Sequence, residues 1–166
     1  LTPDSWTPLT TWTFQAPDRG RVTIAGGGGF PSATDGGSYY LRYSWNDSGV
    51  VQDLNTTVLA GDTLSVTCAL GKDNNFSGGD VTGNAFFKVG TTYYYMPYDL
   101  SSLANGTWSN YTFTTTIANS GDLSVGFRVA YGNANNQYAC LDTVSSVTET
   151  PGVFVNHPPT STGGSV

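Results

Sequence analysis

The sequence predicts an all-β protein, a two-sheet antiparallel β-sandwich, and three observations carry that expectation. Apolar and polar residues alternate with a period of two in run after run, as strands with one buried face require. Each run closes on a Gly, Asn or Asp turn. No helical periodicity survives beyond a turn or two. About ten short strands with turn-rich joints suit two packed sheets.

The elements follow in order. Leu1 to Pro17 is rich in Thr, Pro and Trp, with a strand expected at Thr11-Trp12-Thr13-Phe14. Arg21-Val22-Thr23-Ile24 is a second short strand. The glycines Gly26 to Gly29 are followed by neither a Gly-Lys-Ser/Thr nor a predicted helix, so a phosphate loop is set aside. Tyr39, Leu41, Tyr43 and Trp45 share one face of the next strand, and Val50 to Leu54 forms another after the Asn46-Asp47-Ser48-Gly49 turn. Leu64, Val66, Cys68 and Leu70 mark a core strand. Phe86 to Val89 and Thr92 to Tyr95 flank Gly90-Thr91, which predicts a two-residue hairpin with Gly at a positive-φ position. A short turn is expected within Tyr98 to Ala104. Trp108 to Ile117 and Leu123 to Tyr131 alternate cleanly, the second burying Leu123, Val125, Phe127 and Val129. A last core strand is expected from about Ala139 to Thr148. Residues 1–150 make one domain, and 151–166, with Pro158-Pro159 and then Thr, Ser and Gly, read as a linker-like tail.

Composition narrows the partners. Of 166 residues only 11% are charged, and Ser, Thr, Asn and Gly supply the polar surface, a mixture usual in secreted or cell-surface β-proteins. A net charge of −6 and scattered basic residues (Arg19, Arg21, Arg42, Lys72, Lys88, Arg128) disfavour nucleic acid and anionic membranes, which need clustered Lys and Arg. No segment approaches the roughly 20 apolar residues of a spanning helix. Leu1 is not an initiator Met and no signal segment stands at the start, so a mature or excised fragment is expected. Cys68 and Cys140 are the only cysteines, and two readings stand for them: buried thiols, or one disulfide between long central strands.

Catalytic chemistry is sparse. His157 is the only histidine and sits in the tail, which leaves a Ser-His-Asp or Cys-His site without a base. Glu149 is the only glutamate, and most aspartates (Asp18, Asp47, Asp62, Asp73, Asp80, Asp122) stand where turns need them. No enzyme activity is expected. Aromatic residues are abundant instead, at 13%. The run Tyr93-Tyr94-Tyr95-Met96-Pro97-Tyr98 puts aromatic rings on both faces of one strand, so at least one face is not core. Exposed aromatic faces stack against the C–H surface of a pyranose, and neighbouring amides, carboxylates and Arg take its hydroxyls.

Three segments carry a family resemblance: Asp35-Gly36-Gly37-Ser38-Tyr39-Tyr40-Leu41, Ala60-Gly61-Asp62-Thr63-Leu64-Ser65-Val66, and Ala139-Cys140-Leu141-Asp142-Thr143-Val144-Ser145. They resemble the jelly-roll carbohydrate-binding modules around families four, nine, sixteen and twenty-two. The resemblance implies a structural Ca²⁺ held by Asp35, a Ser38 carbonyl and Asp142, a suitable hard oxygen set. It also places Arg128 as a ligand contact, beside the small residues Ser124, Gly126 and Ala130. The Asn-x-Gly-Phe-Glu opening of those modules is absent, and with it one usual carboxylate.

The expected function is therefore noncatalytic binding of a polysaccharide, targeting an attached carbohydrate-active enzyme, by a monomeric module of a multidomain protein. The groove residues are Arg128, Tyr93, Tyr94, Tyr95, Tyr98, Trp45 and Trp108, with Gln52 and the Asn133 to Asn136 region fixing hydroxyls. A neutral β-glycan is the favoured ligand, with a sulfated algal glycan second. The rival is a structural or adhesive surface domain of the same fold that binds no sugar tightly.

Overall fold

The computed structural model describes residues 7–8, 21–24, 39–44, 49–72, 81–129 and 138–152, the first three segments and residue 138 as backbone. The expected strand at Thr11 to Phe14 lies outside these residues, as do the tail beyond Gly152, Asp35, Ser38, Trp45 and Asn133 to Asn136. The strands in chain order are β1 (Thr7–Pro8), β2 (Arg21–Ile24), β3 (Tyr39–Ser44), β4 (Gly49–Val58), β5 (Thr63–Lys72) and β6 (Thr82–Val89). They continue with β7 (Thr92–Asp99), β8 (Trp108–Thr116), β9 (Gly121–Val129), β10 (Tyr138–Asp142) and β11 (Thr148–Thr150). Every pairing is antiparallel, and no helix occurs among the described residues.

Two sheets result. The first runs β1-β4-β9-β6-β7. In the second, β8 lies along one edge of β5 from Thr63↔Thr116 to Gly71↔Trp108. The other edge of β5 carries β10 and β11, and β3 and β2 follow beyond β10. Between the sheets lie the residues that the period-two pattern selects: Leu64, Val66, Leu70, Phe113, Val125, Phe127 and Val129 are all buried. Val50, Phe87, Val89 and Leu141 belong to the same core. The hairpin at Gly90-Thr91 forms as expected, with Val89 opposite Thr92 and Gly90 at φ +57°, where glycine has no Cβ to clash.

Three features depart from the sequence reading. The strand expected from Ala139 to Thr148 breaks after Asp142, because Thr143 turns into the left-handed region at φ +50°. The chain then rejoins β5 as β11, with two extra residues bulged out between Asp142↔Ala69 and Thr148↔Ser65. Strand β4 likewise runs past Leu54 to Val58, with a bulge between Asp53 and Thr57 where Asn55 takes φ +51°. Strand β7 runs on through Pro97, tolerated because β7 is the edge of its sheet.

The cysteines are both buried thiols. Cys68 shares the core face of β5 with Val66 and Leu70, whereas Cys140 stands opposite Gly71, in the alternate register. The two thiols leave the sheet on opposite sides, which no disulfide geometry spans. Burial pushes the Cys68 thiol up to about 12, so it stays protonated and unreactive. Lys72 is also buried, its Nζ donating to the carbonyls of Ser101 and Leu103 at 3.0 Å each. Those bonds satisfy a charge that burial would otherwise penalise, and they tie the turn after β7 to the end of β5.

Candidate ligand-binding face

Register across the first sheet decides which side chains meet on its outer face. Phe86 of β6 stands opposite Gly126 of β9 on one side and Tyr95 of β7 on the other. One step along, Lys88 stands between Ser124 and Tyr93, and Asp53 of β4 extends that row. Residues opposite one another share a face, so Asp53, Ser124, Lys88, Tyr93, Phe86, Tyr95, Asn84 and Arg128 all point away from the core.

The aromatic part is built in two tiers. Phe86 is only 1% exposed although it lies outside the core, because its ring settles across Gly126. A Cβ at position 126 would come within 2.1 Å of that ring, so the close approach requires glycine. Tyr93 and Tyr95 lie beside Phe86, with centroids 5.5 and 5.9 Å from it. The two tyrosine rings are stacked at 5.6 Å and 11°, and remain 43% and 45% exposed. Arg128 reaches over Tyr95 with its guanidinium carbon 4.3 Å from the ring centroid, a cation–π contact. Lys88 flanks the other ring at 6.0 Å.

Next to Tyr93 the face drops into a cleft of about 510 Å³, lined by Asp53, Asn55, Thr57, Lys88, Asp122 and Ser124 among others. The β4 bulge shapes it. Ser124 Oγ donates to Asp53 Oδ1, and Thr57 Oγ1 donates to Asp122 Oδ1 at 2.9 Å.

The predicted site residues divide accordingly. Tyr93, Tyr95 and Arg128 come together on one face. Tyr94 and Tyr98 do not join them: alternation turns both inward. The Tyr94 hydroxyl accepts the backbone N–H groups of Ala118 and Asn119 at 2.9 and 3.1 Å. Tyr98 is buried, and its hydroxyl donates to the Arg128 carbonyl at 2.9 Å. Gln52 shares the core-facing register of Val125 and Phe87 and is buried there. Trp108 belongs to the second sheet, where its ring lies 2.6 Å from the place a Cβ on Gly71 would occupy. Phe86 and Asp53 are not among the expected site residues, and Asp122, expected in a turn, lies instead in strand β9 opposite Thr57. The Phe86-Phe87 pair was the signal available for the first, since adjacent strand residues face opposite ways.

Asp142 is 8% exposed, and its Oδ1 accepts the N–H of Thr143 at 2.7 Å. Strand β3 begins at Tyr39, at the end of the sheet where β10 stops at Asp142. A buried carboxylate there fits one ligand of the expected Ca²⁺ site. Among the described residues no group of three or more His, Cys, Asp or Glu side chains converges, and the other two expected ligands, Asp35 and Ser38, lie outside them.

No family model matches the chain, and no curated protein sequence matches it. Solved structures do. A cyclase from Fischerella sp. TAU superposes with TM-score 0.63 at 15% identity, over 92% of this chain and 87% of that one. The CBM22-1 and GH10 modules of a Clostridium thermocellum endo-1,4-β-D-xylanase, complexed with xylohexaose, give 0.59 at 10% identity, over 93% of this chain and 28% of that one. The K2 cleaved adhesin domain of Lys-gingipain gives 0.58 at 19% identity, over 86% and 89%. The fold is thus the jelly-roll sandwich that the resemblance to carbohydrate-binding modules implied. One fold serves several functions among these neighbours, and what distinguishes this chain is the chemistry of its outer face.

Proposed function

We propose that this chain is a noncatalytic carbohydrate-binding module whose outer face on the β4-β9-β6-β7 sheet binds a polysaccharide. The observation that carries the reading is the exposed, parallel Tyr93–Tyr95 pair, supported from beneath by buried Phe86 and flanked by Arg128. An apolar platform held rigid by its own packing binds with little ordering entropy. Hydrogen-bonding groups beside it supply orientation, as in small-ligand sites generally. The xylanase neighbour, solved with xylohexaose and spanning far more chain than this one, supports the same reading and an extracellular role beside an attached enzyme.

The test is titration of neutral and sulfated polysaccharides against the wild type, Tyr95→Ala and Tyr93→Ala. Each tyrosine contributes about 1–2 kcal/mol through apolar contact, so each replacement weakens binding roughly tenfold. If no polysaccharide binds the wild type, the adhesive reading, which the gingipain neighbour represents, takes its place. The neutral β-glycan class predicts affinity that changes little with salt.

A structural Ca²⁺ belongs to the same proposal, held by Asp35, Ser38 and Asp142, of which Asp142 alone lies among the described residues. The ion's role is stability, because a cation that binds only the folded chain raises its melting temperature. EDTA lowers the melting temperature of the wild type and leaves that of Asp142→Ala unchanged. An EDTA-insensitive wild type removes the ion from the account.

A further inference from the structure

The polar cleft beside the tyrosine pair has a chemistry distinct from that of the aromatic platform. Its existence depends on an irregularity. Between Asp53↔Ser124 and Thr57↔Asp122 strand β4 carries two more residues than β9 does, and Asn55 sits in the left-handed region at φ +51°. A bulge of this kind re-aims side chains and ends regular pairing, and bulges recur beside functional sites. Here it sets two carboxylates on one face, at the mouth of a cleft whose roughly 510 Å³ lies within the range of small-ligand sites.

Both carboxylates are held in place. Asp53 accepts the Ser124 hydroxyl and Asp122 accepts the Thr57 hydroxyl, each through Oδ1. An ionised carboxylate has about four acceptor positions and no donor, so the one hydroxyl that each accepts among the described residues leaves room for a ligand's donors. The groups that complement it are donors, and sugar hydroxyls are donors of the right kind. Among the described residues Lys88 is the one cation lining the cleft, and its Nζ lies 6.0 Å from the Tyr93 ring, on the platform side. Arg128 stands over Tyr95, away from the cleft. Negative charge therefore outweighs positive at the cleft, and a sulfate or uronate placed there meets two carboxylates of its own sign.

We infer, on the basis of the sugar-binding reading above, that Asp53 and Asp122 are specificity-determining residues. They form a subsite that grips the hydroxyls of an uncharged sugar unit beyond the tyrosine platform and rejects anionic units. Stacking on Tyr93 and Tyr95 supplies affinity for many glycans, and the cleft decides which of them fit. Such discrimination uses an attractive and a repulsive element together.

An array of immobilised neutral, sulfated and uronate-bearing polysaccharides, probed with the wild type, Asp53→Asn, Asp122→Asn, the double variant and Tyr95→Ala, tests this. Asparagine keeps the shape and an acceptor oxygen while removing the charge, and melting curves confirm that each variant folds. The wild type is expected to bind neutral polysaccharides in preference to anionic ones. Each Asp→Asn variant weakens the neutral interaction about fivefold, the difference between a charge-assisted and a neutral hydrogen bond. The double variant gains binding to sulfated polysaccharides at low salt. Tyr95→Ala weakens every interaction alike. Aspartate variants that bind all probes as the wild type does, or a wild type that prefers sulfated probes, overturn the inference while the sugar-binding reading stands. A wild type that binds nothing on the array overturns both.

Discussion

The outer faces of the two sheets obey the same alternation and carry opposite chemistry. On the second sheet, the outer positions of β5 and β8 form a ladder of hydroxyl pairs: Thr63 with Thr116 at 2.9 Å, Ser65 with Thr114 at 2.9 Å, and Thr67 with Thr112 at 3.0 Å. Each hydroxyl there has a partner directly across the strand pair, which stabilises the pairing and offers no large apolar surface. The first sheet presents two exposed tyrosines, a cation over one of them, and carboxylates that hold a single hydroxyl each. A face whose polar groups are matched within the sheet serves solubility. A face that leaves aromatic surface exposed and acceptor capacity open is built to meet something else.

The difference between the two faces depends most on Gly126. Gly126→Ala forces the Phe86 ring upward, and with it the tyrosine pair that rests beside it. Overpacking of this kind destabilises by about 1–3 kcal/mol. A lowered urea midpoint with an unchanged slope, accompanied by weaker polysaccharide binding, is the expected result. A variant with wild-type stability and binding shows that the platform needs no support from beneath.

The matching change on the other face is Thr114→Ala. It removes one rung of the ladder and costs about 0.2–1 kcal/mol, with polysaccharide affinity unchanged. Calorimetric titration beside a melting curve checks both halves. Loss of binding on this substitution transfers function to the wrong sheet and ends the contrast.

The smallest effect is at the edge of the second sheet, where β11 meets the turn after β4. The Asp62 carboxylate accepts the N–H groups of Leu59 at 2.7 Å and Gly152 at 3.0 Å, and these bonds hold its pKa below the ordinary range. Desolvation, and then the neighbouring Asp62, raise that of Glu149. The signs oppose each other. Asp62 contributes stability that is present above its ordinary value of 3.8 and is lost as pH falls through its lower folded value. Glu149 contributes stability that is present below its ordinary 4.5 and is lost as pH rises through its higher folded value. Glu149→Gln mimics the protonated form and is expected to raise the melting temperature slightly at pH 7, with no difference near pH 3. A lower melting temperature at pH 7 means that Glu149 is stabilising as the anion.

Much of this was legible from local pattern. Strand positions, the Gly90-Thr91 hairpin and the buried side of β5, β8 and β9 all follow from alternation between turn residues. The turn reading of Asp62 also holds, since its side chain caps the N–H of Leu59 three residues earlier. The tyrosine run was legible only in part. Period two alone separates Tyr93 and Tyr95 from Tyr94 and Tyr98, yet which pair faces the core depends on the partners of β7. The two β bulges were illegible, because Asn55 and Thr143 enter the left-handed region under tertiary constraint rather than by residue preference alone.

Local pattern is enough to set the class of structure and the buried side of β5, β8 and β9, because both rest on contacts between residues near in sequence and on the two-fold pleat of the backbone. What the outer face contains follows instead from how the strands are ordered and packed. Placing β9 beside β6 brings Arg128 onto Tyr95 and Gly126 beneath Phe86, and placing β4 beside β9 brings Asp53 and Asp122 together. Those neighbours are far apart along the chain, and their register is set by the packing of two whole sheets. Strand order also sent Trp108 to the opposite sheet, since an aromatic residue's type says that it will be partly buried and not against which partner.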